Sequence, residues 1–417
     1  MNADDELCIG IFGINYAPEP TGIAPYTSRM AAGLRDRGHD VKVVTAFPHY
    51  PEWRVPDSYA GWTVDEVVDG IPVRRVRHYV PARPSAVARV LSELSFGVRV
   101  TGVRPSEFDV LICPSPALLS TAAVALRMRV TRGTALGVIV QDLYSAGIGE
   151  TDSGSRRAAR VLTKIEAWTL RQADGVSVIH DRFKRRVVDS LDVDPNRIDV
   201  IRNWTHLDAA PVFDRSAFRT SMGWSKVETV VLHTGAMGDK QGLGNVVEAA
   251  RIAAGRQLPV KFVLIGNGKQ RSQLEAAADG CPSIEFRDPL PGNDFVKALH
   301  SADLLLVNEK PGVQEMAVPS KLTSYFSSGV AVLAATETGS TTADELRSSQ
   351  AGMRVDPGRP EELVTAVLRL REDSTLRVEM GARGPAYCER LLSERVALDA
   401  YDAWVRKLYR RKHGEHA

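Results

Sequence analysis

A doubly wound α/β fold in two parallel-sheet halves is predicted by three observations. Short apolar runs alternate with stretches of helical spacing along almost the whole chain, the pattern of repeated βα units. The alternation breaks once, after Asn203-Trp204-Thr205-His206-Leu207-Asp208, and residues 209–226 hold no clear strand before it resumes. Glycines cluster where strands give way to helices, as in Thr234-Gly235-Ala236-Met237-Gly238.

The first series opens with a strand over 7–14. A helix over 24–37 follows, spaced by Tyr26, Met30 and Leu34 and ended by Gly38-His39-Asp40. Further strands are expected at 41–45, 110–112, 136–140, 175–179 and 198–201, with helices at 117–129, 155–172 and 182–190. The second series has strands at 229–234, 260–265, 284–286, 303–307 and 330–334. Its helices fall at 242–254, 269–278, 293–300, 320–328, 360–371, 374–381 and 393–411. These are two Rossmann-like domains with a boundary near residue 205, and a cleft between two such domains is a common ligand site.

Composition narrows the function. The 417 residues are 44% hydrophobic and 25% charged, the balance of a globular protein with ample core. A net charge of +2 is too small to argue for nucleic acid. Cys8, Cys113, Cys281 and Cys388 are scattered without a CxxC pair, which argues against a disulfide framework or zinc site and fits a reducing cytoplasm. The acidic start, residues 1–6, does not read as a signal peptide, and no apolar run approaches the length of a membrane span.

The chain is organised around Val318-Pro319-Ser320-Lys321-Leu322-Thr323-Ser324, which lies between two apolar strands. Pro319 and Ser320 signal a helix start, and Gly329 a stop. Loops at strand carboxyl ends line the crevice of an open parallel sheet, and a helix start there offers unpaired N–H groups to an anion. Lys321 adds a full charge, so the stretch suits a diphosphate; a lysine on an ordinary surface helix is the alternative.

Other motifs are weaker. Asn15-Tyr16-Ala17-Pro18-Glu19-Pro20-Thr21-Gly22 is too long for the dinucleotide fingerprint, although Gly22 would let a ligand near the backbone. Gly266-Asn267-Gly268-Lys269 lacks phosphate-loop spacing and reads as a tight turn. Asp142 follows strand 136–140 and would project at its carboxyl end, as a hydroxyl-binding carboxylate or a cap. Asp181 reads as a helix N-cap. Residues 74–104 carry seven arginines (74, 75, 77, 83, 89, 99 and 104) against Glu93, while Val87, Val90, Leu91, Leu94 and Val98 share one helical face. A basic amphipathic helix of this kind suits an anionic membrane surface or a core-facing position with a basic rim.

Taken together these stretches resemble the family-4 glycosyltransferases of the retaining GT-B kind, in the branch that builds capsule, colanic-acid-type and O-antigen polysaccharides. The residues that carry the likeness are 15–23, Arg37-Gly38-His39-Asp40-Val41, Thr45-Ala46-Phe47-Pro48-His49-Tyr50-Pro51, Gln141-Asp142-Leu143-Tyr144, Asn203-Trp204, 235–243, Gly266-Asn267-Gly268 and 318–322. The resemblance implies an acceptor-side domain over 1–205, a nucleotide-sugar domain over 206–392, and a terminal helix over 393–417 that packs back on the first. It implies a hexosyl- or N-acetylhexosaminyl-type transferase, acting with retention on a lipid-linked or oligosaccharide acceptor. No metal or other cofactor is expected, and the location would be cytoplasmic or peripheral on the inner membrane face.

Carried over by position, the catalytic residues are Asp142 and Lys321. Donor contacts fall on Gly22, Gly235, Lys240, Gln241, Val318, Pro319, Ser320, Lys321 and Ser324, and the acceptor side on Tyr16 and Asp142. The sequence departs from the pattern twice. Relatives carry two glutamates around the donor loop where this chain has Met316 and Ser324, and an arginine and a lysine on the glycine-rich loop where it has Ala236 and Gln241. Lys321, helped by Lys240, is expected to take over the diphosphate. A nucleotide-sugar epimerase and a non-catalytic nucleotide-sugar sensor are the competing readings.

Overall fold

The structure, a computed structural model, describes residues 6–20, 22–83, 85–115, 117–143, 156–205, 210–313 and 320–414. The chain divides into two compact units, Met1–Asn203 with Arg395–Ala417, and Trp204–Glu394.

The first unit is built on a sheet of β1 (Cys8–Gly13), β2 (Asp40–Ala46), β3 (Thr63–Val68), β4 (Ile71–Val76), β5 (Val110–Ser115), β6 (Ala135–Val140), β7 (Gly175–Val178) and β8 (Ile198–Val200). Their order is β3-β4-β2-β1-β5-β6-β7-β8, parallel except for β3. The apolar runs read from the sequence become the central strands, and every residue of β5 and β6 is buried. Helices α1 (Ala24–Arg35), α2 (Ala86–Val100), α3 (Leu118–Met128), α4 (Arg156–Gln172) and α5 (Asp181–Leu191) connect the strands. Asp181 is the first residue of α5 and not its cap; the cap is His180, whose side chain accepts from the Arg182 amide.

The β3–β4 hairpin was not expected from the hydrophobic pattern. Its turn, Asp69-Gly70, has both residues at positive φ (48° and 76°), which matches the twist of paired strands. It also changes the charge reading of 74–104. Arg74 and Arg75 lie in β4, where they pair with Asp65 and Glu66 of β3, and Arg75 is fully buried. The basic excess therefore belongs to the residues that follow. On α2 the stripe Ser92, Phe96 and Val100 faces inward, while Val87, Leu91, Leu94 and Val98 remain 43–72% exposed.

A last helix, α14 (Glu394–His413), packs on this first unit. Gly137 and Gly175 make room for it: a Cβ on either would lie within 2.7 Å of Trp404 or Leu408. His39 accepts the Leu7 amide at Nδ1 (3.2 Å), so Nε2 carries the proton that it donates to Asp402 (2.7 Å).

The second unit has β9 (Thr229–Thr234), β10 (Val260–Ile265), β11 (Ile284–Arg287), β12 (Leu304–Asn308), β13 (Val332–Ala335) and β14 (Gly352–Val355), in the order β11-β10-β9-β12-β13-β14, all parallel. Its helices are α6 (Arg215–Ser221), α7 (Gly244–Gly255), α8 (Arg271–Ala277), α9 (Gly292–Ser301), α10 (Ser320–Ser327), α11 (Thr341–Ser349), α12 (Pro360–Glu372) and α13 (Ser374–Leu391). The twofold period of the strands splits the core between two faces. Val231, Leu264 and Leu306 pack with Val247, Leu363 and Val367, while Val230, Leu305 and Val307 pack with Leu299, Leu322 and Phe326. Arg219 of α6 is buried and bridges Asp303 at 3.0 Å, fixing this helix to the start of β12.

Candidate active site

In the second unit β9 and β12 are neighbours whose onward connections run to opposite sides of the sheet, so their carboxyl ends form its switch point. Four segments supply it: the end of β9, the loop 235–242, the residues after β12, and the first turn of α10.

α10 is keyed to β9 by Tyr325, whose hydroxyl accepts the Thr234 amide at 2.8 Å. Lys321 sits one helical turn earlier on the same face. Its Nζ is 3.4 Å from Nε2 of His233 and 3.8 Å from where a Cβ on Gly235 would stand. Gly235 has φ +110°, so the turn is glycine's by conformation as well as by space.

Three titratable groups meet here. His233 is wholly buried and its Nδ1 pairs with the Leu306 carbonyl at 3.2 Å. A carbonyl only accepts, so Nδ1 carries the proton and Nε2 presents a lone pair to the ammonium. Burial first, and the Lys321 charge second, push the His233 pKa well below its ordinary value, so the ring is neutral. Glu309 follows β12 directly, and the Thr336 and Thr342 hydroxyls donate to its two oxygens. Burial raises its carboxyl, against those hydroxyls and Lys321. Burial likewise pushes Lys321 down to about 8, opposed by the Glu309 charge.

The glycine-rich loop is held from two sides. Asn308 Nδ2 donates to the carbonyls of Gln241 (2.8 Å) and Gly242 (3.0 Å). The turn Gly266-Asn267-Gly268 supports it from β10, with Met237 N donating to Asn267 O at 2.9 Å. A Cβ on Gly266 would lie 1.9 Å from the Gly235 oxygen, so this turn serves packing, as its sequence spacing indicates.

The structure thus brings Gly235 and Lys321 together. Gln241 belongs to the same loop, but its Oε1 closes the turn by accepting the Gly238 amide at 3.0 Å. Lys240 is exposed, and its carbonyl accepts from Lys310 N at 2.9 Å. Ser324 is half-buried on α10. Val318, Pro319 and the Ser320 side chain lie outside the described residues. His233, Asn308 and Glu309 were not singled out in the sequence. Their signals were a lone basic residue in an apolar strand, and two polar residues that end the run Leu304–Asn308 and follow it.

In the first unit Gly22 has φ +70°, and a Tyr50 ring carbon lies 3.5 Å from where its Cβ would stand. Asp142 is exposed just beyond β6, next to a reciprocal amide pair between Gln141 and Asn203 (3.1 and 2.7 Å). Tyr16 is 2% exposed, and burial first, and Asp69 second, push its phenol up to about 12. Among the described residues no helix is long and apolar enough to cross a membrane.

The family described as "Glycosyl transferase 4-like domain" matches residues 21–204, and "Glycosyl transferases group 1" matches 228–373. WcaI of Escherichia coli (strain K12), named as a colanic acid biosynthesis glycosyl transferase, is 31% identical over 333 residues, which cover 76% of this chain and 81% of that protein. Among solved structures, WaaG, a glycosyltransferase involved in lipopolysaccharide biosynthesis, superposes with a TM-score of 0.67 at 17% identity, covering 95% of this chain and 99% of that one. Anabaena HepE, solved with UDP, gives 0.68 at 15% identity, covering 95% and 100%. The fold is that of the GT-B enzymes, and the chain belongs to the glycosyltransferases that join a 4-like domain to a group 1 domain.

Proposed function

We propose that this glycosyltransferase moves a sugar from a nucleotide-sugar donor, with retention of anomeric configuration, to a lipid-linked or oligosaccharide acceptor in cell-surface polysaccharide or glycolipid assembly. The observation that carries the reading is Lys321, an ammonium fixed at the switch point of the second unit beside a glycine turn. Charge grows on the leaving diphosphate as its bond to the sugar breaks. A cation already in place therefore binds the transition state more strongly than the ground state. The start of α10 adds backbone N–H groups to the same end of the sheet. In this reading the diphosphate charge is offset by these groups without a metal. The first unit receives the acceptor, and the exposed Asp142 orients it or stabilises positive charge at the sugar.

The names of WcaI and WaaG support an envelope glycan as product, and UDP on HepE supports a nucleotide donor. The outward apolar stripe of α2, flanked by Arg83 and Arg89, supports a seat on an anionic membrane surface. Co-sedimentation with phosphatidylglycerol vesicles, but not phosphatidylcholine vesicles, is the expected result, and Leu91→Glu with Leu94→Glu should abolish it.

The deciding experiment is calorimetry with UDP-, GDP- and dTDP-sugars in the presence of EDTA, followed by NMR of the sugar released on slow hydrolysis. One donor series should bind and release its sugar with the donor's anomeric configuration. Conversion of the sugar while still attached to nucleotide would establish an epimerase. Binding without turnover of any kind would establish a sensor, and no binding to the folded protein would end the donor reading.

A further inference from the structure

We infer that His233 and Glu309 are positioning residues for Lys321: His233 holds its ammonium beside the Gly235 turn by direct contact, and Glu309, fixed at the end of β12, supplies the opposite charge to the same place. The inference deepens the proposed donor site and rests on it for the consequence in binding, but not for the titration itself.

The argument begins from geometry. A lysine carries a flexible four-carbon stem, and an ammonium free to move would neutralise a diphosphate at a larger entropic cost. Here the stem leaves α10, whose position is fixed by Tyr325 on Thr234, and the ammonium ends 3.4 Å from His233 Nε2. Backbone bonds to Leu306 and Ala236 fix the ring, and towards a charged ammonium, which only donates, Nε2 is the acceptor. Glu309 provides the opposite charge, and its own place is fixed by Thr336 and Thr342, with Thr336 in turn bonded to Ser340 at 2.7 Å. The neutral acceptor therefore orients the cation by contact, and the fixed carboxylate adds an opposite charge to its surroundings.

Among the described residues, the titratable groups that face this ammonium are His233 from β9 and Glu309 from beyond β12. Lys240 and Lys310 occupy the adjoining loops, exposed, and Tyr325 shares its helix with its phenol pushed up to about 12 by burial. Burial favours the neutral amine of Lys321 and Glu309 opposes it, leaving the pKa at about 8. The cation that the donor needs is thus kept charged at neutral pH chiefly by Glu309. Above the pKa the donor must bind together with a proton, and affinity falls by about tenfold for each pH unit.

Two measurements test this. Competitive acetylation of the free protein across pH, read by mass spectrometry at the Lys321 peptide, reports the amine's own titration without any donor. Calorimetric affinity for UDP-glucose and GDP-mannose across the same range reports its consequence, since a diphosphate diester does not itself titrate there. Glu309→Gln preserves shape, and His233→Asn keeps a donor to Leu306 while removing the Nε2 acceptor. Both should lower the Lys321 midpoint and move the loss of donor affinity to lower pH. His233→Gln, which can return an acceptor near Nε2, should restore much of it. Melting temperatures confirm that each variant is folded. An unchanged acetylation midpoint in folded Glu309→Gln and His233→Asn overturns the inference. Donor binding that fails in the unsubstituted protein overturns the donor reading instead, and leaves the titration to stand or fall alone.

Discussion

In the loop after β1, in the first unit, the buried charged side chain is Glu19, 5% exposed, with backbone amides of His49 and Tyr50 both 2.9 Å from Oε1 and Asn15 Nδ2 2.7 Å from Oε2. Near the carboxyl end of β9, in the second unit, the corresponding charge is Lys321, half-buried, in contact with one neutral imidazole and under the influence of the Glu309 carboxylate. Both are charges near the carboxyl ends of strands in a parallel sheet, where ligands commonly sit. Glu19 is consumed by three fixed donors, which stitch the β1–α1 loop to the segment after β2. Lys321 has one acceptor in contact, His233, and the Glu309 charge in its surroundings, yet an ammonium carries three protons, so His233 does not saturate it. A charge whose capacity is exhausted inside the protein builds structure, and one with capacity left can meet a ligand.

That contrast is broken first by Glu19→Ala. The substitution strands one buried and one partly buried backbone N–H group as well as a side-chain amide, and each buried orphan costs about 1–3 kcal/mol. A loss of about 4 kcal/mol in denaturant unfolding is expected, with any loss of donor affinity small beside it, because Lys321 and its neighbours in the second unit are untouched. Glu19→Gln, which keeps the shared acceptor oxygen, should lose less than half as much. Donor affinity falling in step with stability would show that the two charges do not play separate roles.

Lys321→Ala is the next largest effect and lands on the other observable. A charge-assisted contact is worth about 1.5–3 kcal/mol, so donor affinity should drop by about tenfold to a hundredfold. The melting temperature should fall only slightly, since His233 is already neutral and Glu309, though it loses a nearby positive charge, keeps the Thr336 and Thr342 hydroxyls. Lys321→Arg should fail to restore affinity, because the wider guanidinium does not fit between His233 and the Gly235 turn. Unchanged calorimetric affinity in Lys321→Ala removes the lysine from the site.

The sequence made the two parallel sheets legible because buried strands are near-continuous apolar runs, and those runs are β1, β5, β6, β9, β10 and β12 themselves. It made Lys321 legible because a helix start and a glycine stop bracket it. The β3–β4 hairpin carried its own sign, Asp69-Gly70 between β-branched residues, but the arginines beside it drew the reading toward a basic segment and hid the pairing with Asp65 and Glu66. The environment of Lys321 was not legible. His233 lies 88 residues away in sequence, and a histidine in an apolar strand looks the same whether it faces a core or a cation. Which face a strand residue takes is set by register against its neighbours, and Nδ1 on Leu306 is a consequence of β9 lying beside β12. Gln241 was placed among donor contacts because relatives carry a cation there, whereas its own side chain turns back to Gly238.

Gln241 therefore gives the smallest effect and the finest test. Removing its side chain costs one bond to the Gly238 amide, while the loop stays pinned by Asn308 on the Gln241 and Gly242 carbonyls, which the substitution leaves in place. The Gly238 amide is only partly enclosed and can turn to water, so Gln241→Ala should cost about 0.5–1 kcal/mol of stability. Donor affinity should fall by less than about threefold, a change of well under 1 kcal/mol. A tenfold loss in calorimetry would mean that the side chain leaves Gly238 to meet the donor, and the contrast between exhausted and unexhausted groups would fail within a single loop.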